Sequence, residues 1–160
     1  MRVVRLLPLL ALGCVTARPS PDQRKPLVIH AETLDGQPAI VGGPGPVRLV
    51  DVWATWCGPC RNAGPRAARV VAERPGVQEI ALSVDDDVSA LRQFVAANAV
   101  AGEVVHYSGG YRAARRDGLH AIPLFVILDK QGRVVSHITG ARGDLERQLA
   151  DALDVVLAEP

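Results

Sequence analysis

The sequence predicts an α/β fold in which helices flank a central mixed β-sheet. Two patterns along its 160 residues support this prediction. Apolar, β-branched runs typical of buried strands alternate with segments that have the apolar spacing of amphipathic helices. A strand pair followed by one more helix then closes the chain. The length suits one domain with its own core, and a charged fraction of 22% is ordinary for a globular protein.

The first residues have the pattern of a secretory signal peptide. Arg2 and Arg5 give a basic start, and the apolar run Leu6–Gly13 follows them. That run is too short to cross a bilayer as a helix, which needs roughly 20 residues. The next segment is rich in proline and charge, as expected of a flexible tether. The chain is thus divided into a signal peptide, a tether and a folded domain, at residues 1–13, 14–26 and 27–160.

Two cleavage sites are open for this signal peptide. The stretch LALGC resembles the lipobox of bacterial lipoproteins, in which the cysteine, here Cys14, is acylated and becomes the mature N-terminus. Val15 after it resembles lipoproteins that are sorted to the outer membrane rather than the inner one. The alternative is ordinary cleavage after Ala17, which would discard Cys14 and release a soluble secreted protein. Both alternatives place the domain outside the cytosol, in the bacterial periplasm or beyond it, where disulfides persist.

The first half of the domain is predicted to contain a hairpin, two buried strands and a helix. Two short apolar runs surround a Gly-containing turn at 27–41, which is typical of a β-hairpin. After a Gly- and Pro-rich loop, residues 47–55 form a mostly apolar, β-branched run, as expected of a strand buried on both faces. A helix is expected from Cys57 to Arg74, and residues 77–85 have the pattern of a second buried strand.

The second half is predicted to alternate helices and strands. The first segment of this half is predicted to be a helix, because aspartates that can cap a helix are followed by apolar residues at helical spacing. Gly118 ends a short helix, and a turn at Gln131–Gly132 joins two strands. Leucines on one face indicate the last helix. The predicted elements are a helix at 86–98, a strand at 103–107, a short helix at 110–118, a strand pair at 123–140 and a final helix at 143–158.

Two of the three cysteines, Cys57 and Cys60, are separated only by Gly58 and Pro59. A structural zinc site would need four ligands, and the four histidines are scattered along the chain. A purely structural disulfide would close a loop too small to constrain the unfolded chain much. A redox-active dithiol, with no metal and no cofactor, is therefore the favoured interpretation of the pair.

The predicted start of a helix at this pair suits redox chemistry. Cys57 would lie at the helix N-terminus, where free N–H groups and the helix dipole favour a thiolate. Pro59 is tolerated in the first turn because its missing N–H would have been unpaired there. Cys60, one turn on, can attack a mixed disulfide on Cys57. We expect Cys57 to be the exposed nucleophile and Cys60 the buried resolving thiol.

Two segments resemble the thioredoxin superfamily. DVWATWCGPC is similar to its active-site strand and turn, and AIPLFVILD is similar to the segment that carries its cis-proline, here Pro123. The resemblance implies that Ile122 offers its backbone to an extended substrate, beside Gly58 and Pro59. A helix–strand insertion before Pro123 and an N-terminal hairpin resemble the TlpA/ResA group of extracytoplasmic thiol–disulfide oxidoreductases, over residues 27–158.

Asp51 is the candidate proton acceptor. A carboxyl in an apolar strand should have a raised pKa, and such a group can take the proton from Cys60 as it attacks. The alternative is a structural, hydrogen-bonded aspartate. The resemblance implies that Trp56 shields the cysteines and touches substrate, whereas Trp53 is expected to pack in the core. Ala63 occupies a position where many relatives carry a glutamate, so proton handling by that glutamate is absent.

The resemblance implies thiol–disulfide exchange on client proteins. A reductase recharged by a membrane-embedded electron donor is favoured, because Gly-Pro between the cysteines resembles reducing thioredoxins. Apocytochrome c is the client that the group suggests. Three alternatives remain: a disulfide-donating oxidase or isomerase, a non-catalytic metal-handling adaptor, and a peroxide-reducing enzyme, although the last lacks its expected motif.

Nucleic acid is not an expected partner, because the formal net charge is only +1. The local cluster of Arg112, Arg115 and Arg116 is interpreted as a solvated helix face, with a binding patch as the less favoured alternative.

Overall fold

The computed structural model describes residues 20–159, and within them a seven-stranded mixed sheet is flanked by four α-helices. Each element expected from the sequence is present, with bounds shifted by a few residues. The strands are β1 (Val28–Thr33), β2 (Pro38–Gly42), β3 (Val47–Trp53), β4 (Val77–Ser83), β5 (Glu103–His106), β6 (Leu124–Leu128) and β7 (Val134–Thr139). The helices are α1 (Gly58–Ala72), α2 (Val88–Ala97), α3 (Gly110–Arg116) and α4 (Leu145–Leu157).

The sheet has the strand order β2-β1-β5-β4-β3-β6-β7. The central strand β3 runs parallel to β4 and antiparallel to β6. The insertion between β4 and β6 comprises α2, β5 and α3, and its strand β5 is parallel to β4. The N-terminal hairpin joins the sheet on the far side of β5, where Glu32 pairs with His106. This arrangement confirms the thioredoxin-like fold with a hairpin and a helix–strand insertion.

Alternate residues of β3 contribute to two hydrophobic clusters, because successive side chains of a strand point to opposite faces. Leu49 belongs to the cluster that α1 and α4 cover, together with Phe125. Val50 and Val52 belong to the other cluster, which includes Leu91 of the insertion. Since both faces are covered, β3 is apolar apart from two charged residues, the half-buried Arg48 and the buried Asp51.

Residues 24–26 form part of the domain, whereas the sequence predicted a flexible tether as far as Pro26. The buried Arg24 guanidinium donates hydrogen bonds to both carboxylate oxygens of Glu159, at 2.7 and 2.6 Å, and lies 3.4 Å from Asp129 Oδ2. The Lys25 carbonyl accepts a hydrogen bond of 2.9 Å from the Val134 amide. The tether prediction is wrong here because two distant carboxylates hold a charge that looks solvated in the sequence.

The predicted signal peptide, both candidate cleavage sites and Cys14 lie outside the described residues. Within residues 20–159, no helix combines the length and the apolar character needed to cross a bilayer.

Candidate active site

The two cysteines lie where β3 turns into α1. Cys57 is the N-cap residue of α1, Gly58 and Pro59 open its first turn, and Cys60 follows. Cys57 and Cys60 form a disulfide. The Cys60 amide donates a hydrogen bond of 3.2 Å to Cys57 Sγ, so the positive end of an N–H dipole faces that sulfur. Such a donor favours a thiolate on Cys57 after the disulfide opens.

Burial does not distinguish the two sulfurs in this disulfide form. Cys57 is 5% exposed and Cys60 is 3% exposed, whereas the sequence predicted an exposed Cys57. Both residues belong to a hydrophobic cluster that includes Leu119 from the insertion, and the local motif does not reveal this long-range packing. The N-cap position of Cys57 is therefore what separates the roles of the two cysteines. Gly58 and Pro59 between them are exposed.

The proline loop lies at the same edge of the sheet. The Ile122–Pro123 peptide bond is cis, as the family resemblance implied. Leu124, which follows, pairs with Val52, so Pro123 lies beside the end of β3 that leads to the cysteines. Ile122 is half-buried and packs against the hydrophobic cluster that contains both cysteines. The structure thus brings together the cysteine pair and the proline loop from distant parts of the chain.

The two tryptophans near the cysteines have different surroundings. Trp56 is 55% exposed and meets Tyr111 of α3 edge-on, with ring centroids 5.3 Å apart. Trp53 is buried and packs against Phe94 of α2 at a centroid distance of 5.5 Å. The packing role expected for Trp53 is consistent with this position, whereas the Trp56 ring is largely open to solvent.

Asp85 fixes the turn that carries Trp56. Its carboxylate accepts hydrogen bonds from the Thr55 amide, at 3.0 and 3.1 Å, and from the Thr55 hydroxyl, at 2.6 Å. The Ser83 hydroxyl donates to the same carboxylate at 2.7 Å. Because Asp85 is buried, these bonds tie the active-site turn firmly to the end of β4. Sequence reasoning missed this role, although an acidic residue directly after a buried strand was a visible signal.

Asp51 lies on β3 beneath α1. It is buried, and a Cβ at position 64 would stand 3.2 Å from its Oδ2, so the glycine there leaves room for the carboxyl. Among residues 20–159, no hydrogen-bond partner faces its Oδ1. Burial, with a smaller contribution from the charge of Glu79, raises the pKa of Asp51 to about 8. The carboxyl is therefore mostly protonated at neutral pH.

Glu79 is a second acid near Asp51, and sequence reasoning did not identify it. It lies on β4 and is half-buried, and burial raises its pKa to about 7. A cavity of about 390 Å³ is lined by both acids and by Cys60 and Trp53. The only signal in the sequence was an acidic residue inside a strand expected to be buried.

Within the described part of the chain, no group of three or more His, Cys, Asp and Glu side chains is placed to hold a metal ion. The cysteine pair alone supplies two ligands of the four that a structural zinc site requires.

Comparisons with known proteins agree with this site. A family model described as Redoxin matches residues 29–154. A thioredoxin from Mycolicibacterium smegmatis is 36% identical over 116 residues, which cover 71% of this chain and 84% of the relative. A DsbF homologue from Corynebacterium diphtheriae shares the fold, with a TM-score of 0.69 and 19% identity over 87% of this chain and 91% of that one.

A secreted Mycobacterium tuberculosis disulfide oxidoreductase homologous to E. coli DsbE has the same fold, with a TM-score of 0.62. It is 22% identical, and the match covers 79% of this chain and 95% of that one. The family match spans most of the domain, and the fold places a CxxC disulfide at the family's redox position. The chain therefore belongs to the redoxin family of the thioredoxin superfamily and is a thioredoxin-like thiol–disulfide oxidoreductase.

Proposed function

We propose that this protein reduces disulfides in client proteins outside the cytosol, with Cys57 and Cys60 as its dithiol. The proposal is carried by the Cys57–Cys60 disulfide at the N-terminus of α1, at the same sheet edge as the cis-proline loop. Gly58-Pro59 supports the reducing direction, because strong oxidants of the superfamily often have a histidine between the cysteines.

In the first step, the Cys57 thiolate attacks one sulfur of the client disulfide. A bond forms between Cys57 and that sulfur, the client S–S bond breaks, and the other client sulfur leaves as a thiolate that takes a proton from water. The Cys60 amide stabilises the attacking thiolate, since it points at Cys57 Sγ. The exposed Trp56, the exposed Gly58-Pro59 pair and the backbone of Ile122 are the proposed client contacts.

In the second step, the Asp51 carboxylate takes the proton of the Cys60 thiol, and the resulting thiolate attacks Cys57 Sγ. The intramolecular disulfide forms, the bond to the client breaks, and the client leaves as a second thiolate. Two electrons have then passed from the dithiol to the client. Only the ionised fraction of Asp51 can act as a base, so a pKa near 8 makes this step faster as the pH rises.

Recharging reverses the proton transfer. One thiolate of a dithiol donor attacks Cys57 and forms a mixed disulfide with it, the Cys57–Cys60 bond breaks, and Cys60 leaves as a thiolate that takes the Asp51 proton. The second thiol of the donor then attacks this mixed disulfide, Cys57 leaves as a thiolate, and the donor ends as a disulfide. In the disulfide form Asp51 is mostly protonated at neutral pH, so the proton is in place before the donor arrives. The donor that we propose is a membrane-embedded protein.

The location follows from the N-terminal pattern. We propose that residues 1–13 are removed and that Cys14 carries a lipid anchor on the periplasmic side, with cleavage after Ala17 as the alternative. The secreted relative from Mycobacterium tuberculosis supports a place outside the cytosol. The client that we propose is apocytochrome c, whose haem-attachment cysteines must be reduced.

The experiment that tests this function is a measurement of the reduction potential of the Cys57–Cys60 pair. A value near that of thioredoxin, roughly −270 mV, supports a reductase, and a value near roughly −120 mV reverses the direction. In parallel, Cys60→Ser should accumulate a mixed disulfide with client on Cys57, whereas Cys57→Ser should accumulate none. Activity that persists in Cys57→Ser would contradict the mechanism.

A further inference from the structure

Helix α3 presents three arginines on one face. Arg112, Arg115 and Arg116 have the i, i+3, i+4 spacing that places side chains together on a helix surface, while Gly110 and Ala114 face the domain and are buried. All three arginines are exposed. Together with the exposed His120 they line one open surface pocket of about 320 Å³. We call these four residues, Arg112, Arg115, Arg116 and His120, the basic strip.

The arginines of the basic strip have no internal carboxylate partner. Among residues 20–159, ion pairs hold arginines elsewhere in the fold, including Arg24, Arg66 and Arg74, but none holds an arginine of the strip. The adjacent Asp117 is engaged, because it accepts a hydrogen bond from the Tyr107 hydroxyl. Like charges one helical turn apart disfavour the helix slightly, so folding alone does not explain the cluster.

Two acidic residues at the start of α2, Asp86 and Asp87, form no ion pair with the strip. Asp86 lies against Gly110, at the opposite end of α3 from Arg115 and Arg116. Asp87 caps α2 by accepting from the amides of Ser89 and Ala90. The strip therefore keeps a net positive charge that faces solvent.

The basic strip lies next to the redox site. The Arg115 guanidinium is 5.9 Å from the centre of the Tyr111 ring, and the Tyr111 ring contacts Trp56, which directly precedes Cys57. At the other end of the strip, His120 is two residues from Ile122 in the proline loop. An extended client chain advances about 3.3 Å per residue, so a segment bound along that loop reaches the strip within a few residues of its cysteine.

We propose that the basic strip binds carboxylate side chains that flank the client disulfide, so that the enzyme prefers acidic client segments. This inference rests on the proposed reductase function. Arginine suits the task because its planar guanidinium can bind a carboxylate through two parallel hydrogen bonds. Charge complementarity of this kind mainly speeds the encounter between partners, and salt weakens it. We therefore expect kcat/KM, rather than kcat, to differ between acidic client segments and other segments.

The test compares three synthetic peptides that share one disulfide and carry Glu, Ser or Lys beside it. For the wild-type protein at low salt, we expect kcat/KM for the Glu peptide to exceed that for the Lys peptide by about tenfold, and the ratio to fall as salt is added. The variant Arg112→Gln with Arg116→Gln leaves Arg115 on Tyr111 and should reduce the ratio to about threefold or less. The control Arg142→Gln with Arg147→Gln changes the net charge equally at two exposed positions, one before α4 and one within it, and should keep the wild-type ratio.

Three results would overturn the inference. One is a wild-type protein without preference among the peptides, and another is an equal loss of preference in both double variants, which would indicate net charge rather than the strip. The third is binding of the wild-type protein to vesicles of phosphatidylglycerol and phosphatidylcholine that only the strip variant loses, with its peptide preference unchanged. Failure of the wild-type protein to reduce even the Ser peptide would contradict the proposed function itself, and the client assignment with it.

Discussion

Asp51 and Glu79 lie on neighbouring parallel strands and line the same cavity as Cys60. In the register of β3 and β4, Asp51 is opposite Ala81 and Leu49 is opposite Glu79, so the two acids share one face of the sheet, two positions apart. Both pKa values are raised, that of Asp51 to about 8 and that of Glu79 to about 7. The charge of Glu79 contributes to the raised pKa of Asp51, and Asp51 is mostly protonated near neutral pH.

Asp51→Asn should stabilise the folded protein at high pH. The pKa of Asp51 rises from 3.8 to about 8 on folding, so the folded state keeps a proton that the unfolded state loses. Stability is then lost as the pH rises from about 4 to about 8, and a neutral side chain avoids this loss. At pH 8 we expect the variant to be more stable by roughly 2–5 kcal/mol, with little difference near pH 4. Urea denaturation of the oxidised proteins across this range measures it, and equal stabilities at pH 8 would contradict a buried, protonated Asp51.

The same substitution should slow reduction of the disulfide in a pH-dependent way. A protonated Asp51 gives its proton to Cys60 as that sulfur leaves, and asparagine cannot. We expect dithiothreitol to reduce the wild-type protein about tenfold faster than Asp51→Asn at pH 6, with the advantage vanishing above pH 8. The ionisation of dithiothreitol cancels in the ratio of the two rate constants. A ratio that is constant from pH 6 to pH 9 would leave Asp51 with a structural role only.

Glu79→Gln should lower the midpoint pH at which the rate advantage given by Asp51 over asparagine is half lost. The charge of Glu79 contributes to the raised pKa of Asp51, and glutamine removes it. Because burial is the larger cause, we expect a move of only about half a pH unit, with the midpoint still far above 3.8. The matched control is Glu73→Gln, at an exposed position after the C-terminus of α1. The coupling is disproved by a midpoint that stays in place, or by an equal move in the control.

The parts of this site that the sequence predicted are encoded locally. Cys57 and Cys60 are one helical turn apart wherever a helix starts at Cys57, and an apolar strand buries Asp51 whichever neighbours it has. Pro123 could be placed because its flanking residues resemble a known segment. The order of strands and helices also follows from hydrophobic period alone, since each period extends over a whole element.

The parts that the sequence did not predict depend on register and long-range packing. Glu79 reaches the cavity only because β4 pairs with β3 in one particular register. Cys57 is buried in a hydrophobic cluster to which Leu119, from the far end of the insertion, also belongs. Arg24 pairs with Glu159 across nearly the whole described chain, so a charge read as solvated is enclosed. Sequence spacing carries no information on any of these three arrangements.

Arg24→Ala should destabilise the domain strongly, because Arg24 is a structural residue rather than part of a tether. Removing one partner of a buried ion pair leaves the other charge unpaired, which costs about 3 kcal/mol or more. Arg24 also lowers the pKa of Glu159 through its hydrogen bond. That contribution is present above the unfolded pKa, near 4.5, and is lost as the pH falls through the lower folded pKa.

Urea denaturation at pH 7 should therefore show a much lower free energy of unfolding for Arg24→Ala than for the wild-type protein. This difference in free energy should narrow on acidification toward pH 3. Arg147→Ala, an exposed arginine of α4, is the control and should change stability by less than about 1 kcal/mol. Shortened chains give an independent check, because one that begins at Ser20 keeps Arg24 and one that begins at Pro26 does not. Equal stability of these two chains would return residues 20–25 to the tether, whereas a loss comparable to that of Arg24→Ala would place the start of the folded domain at or before Arg24.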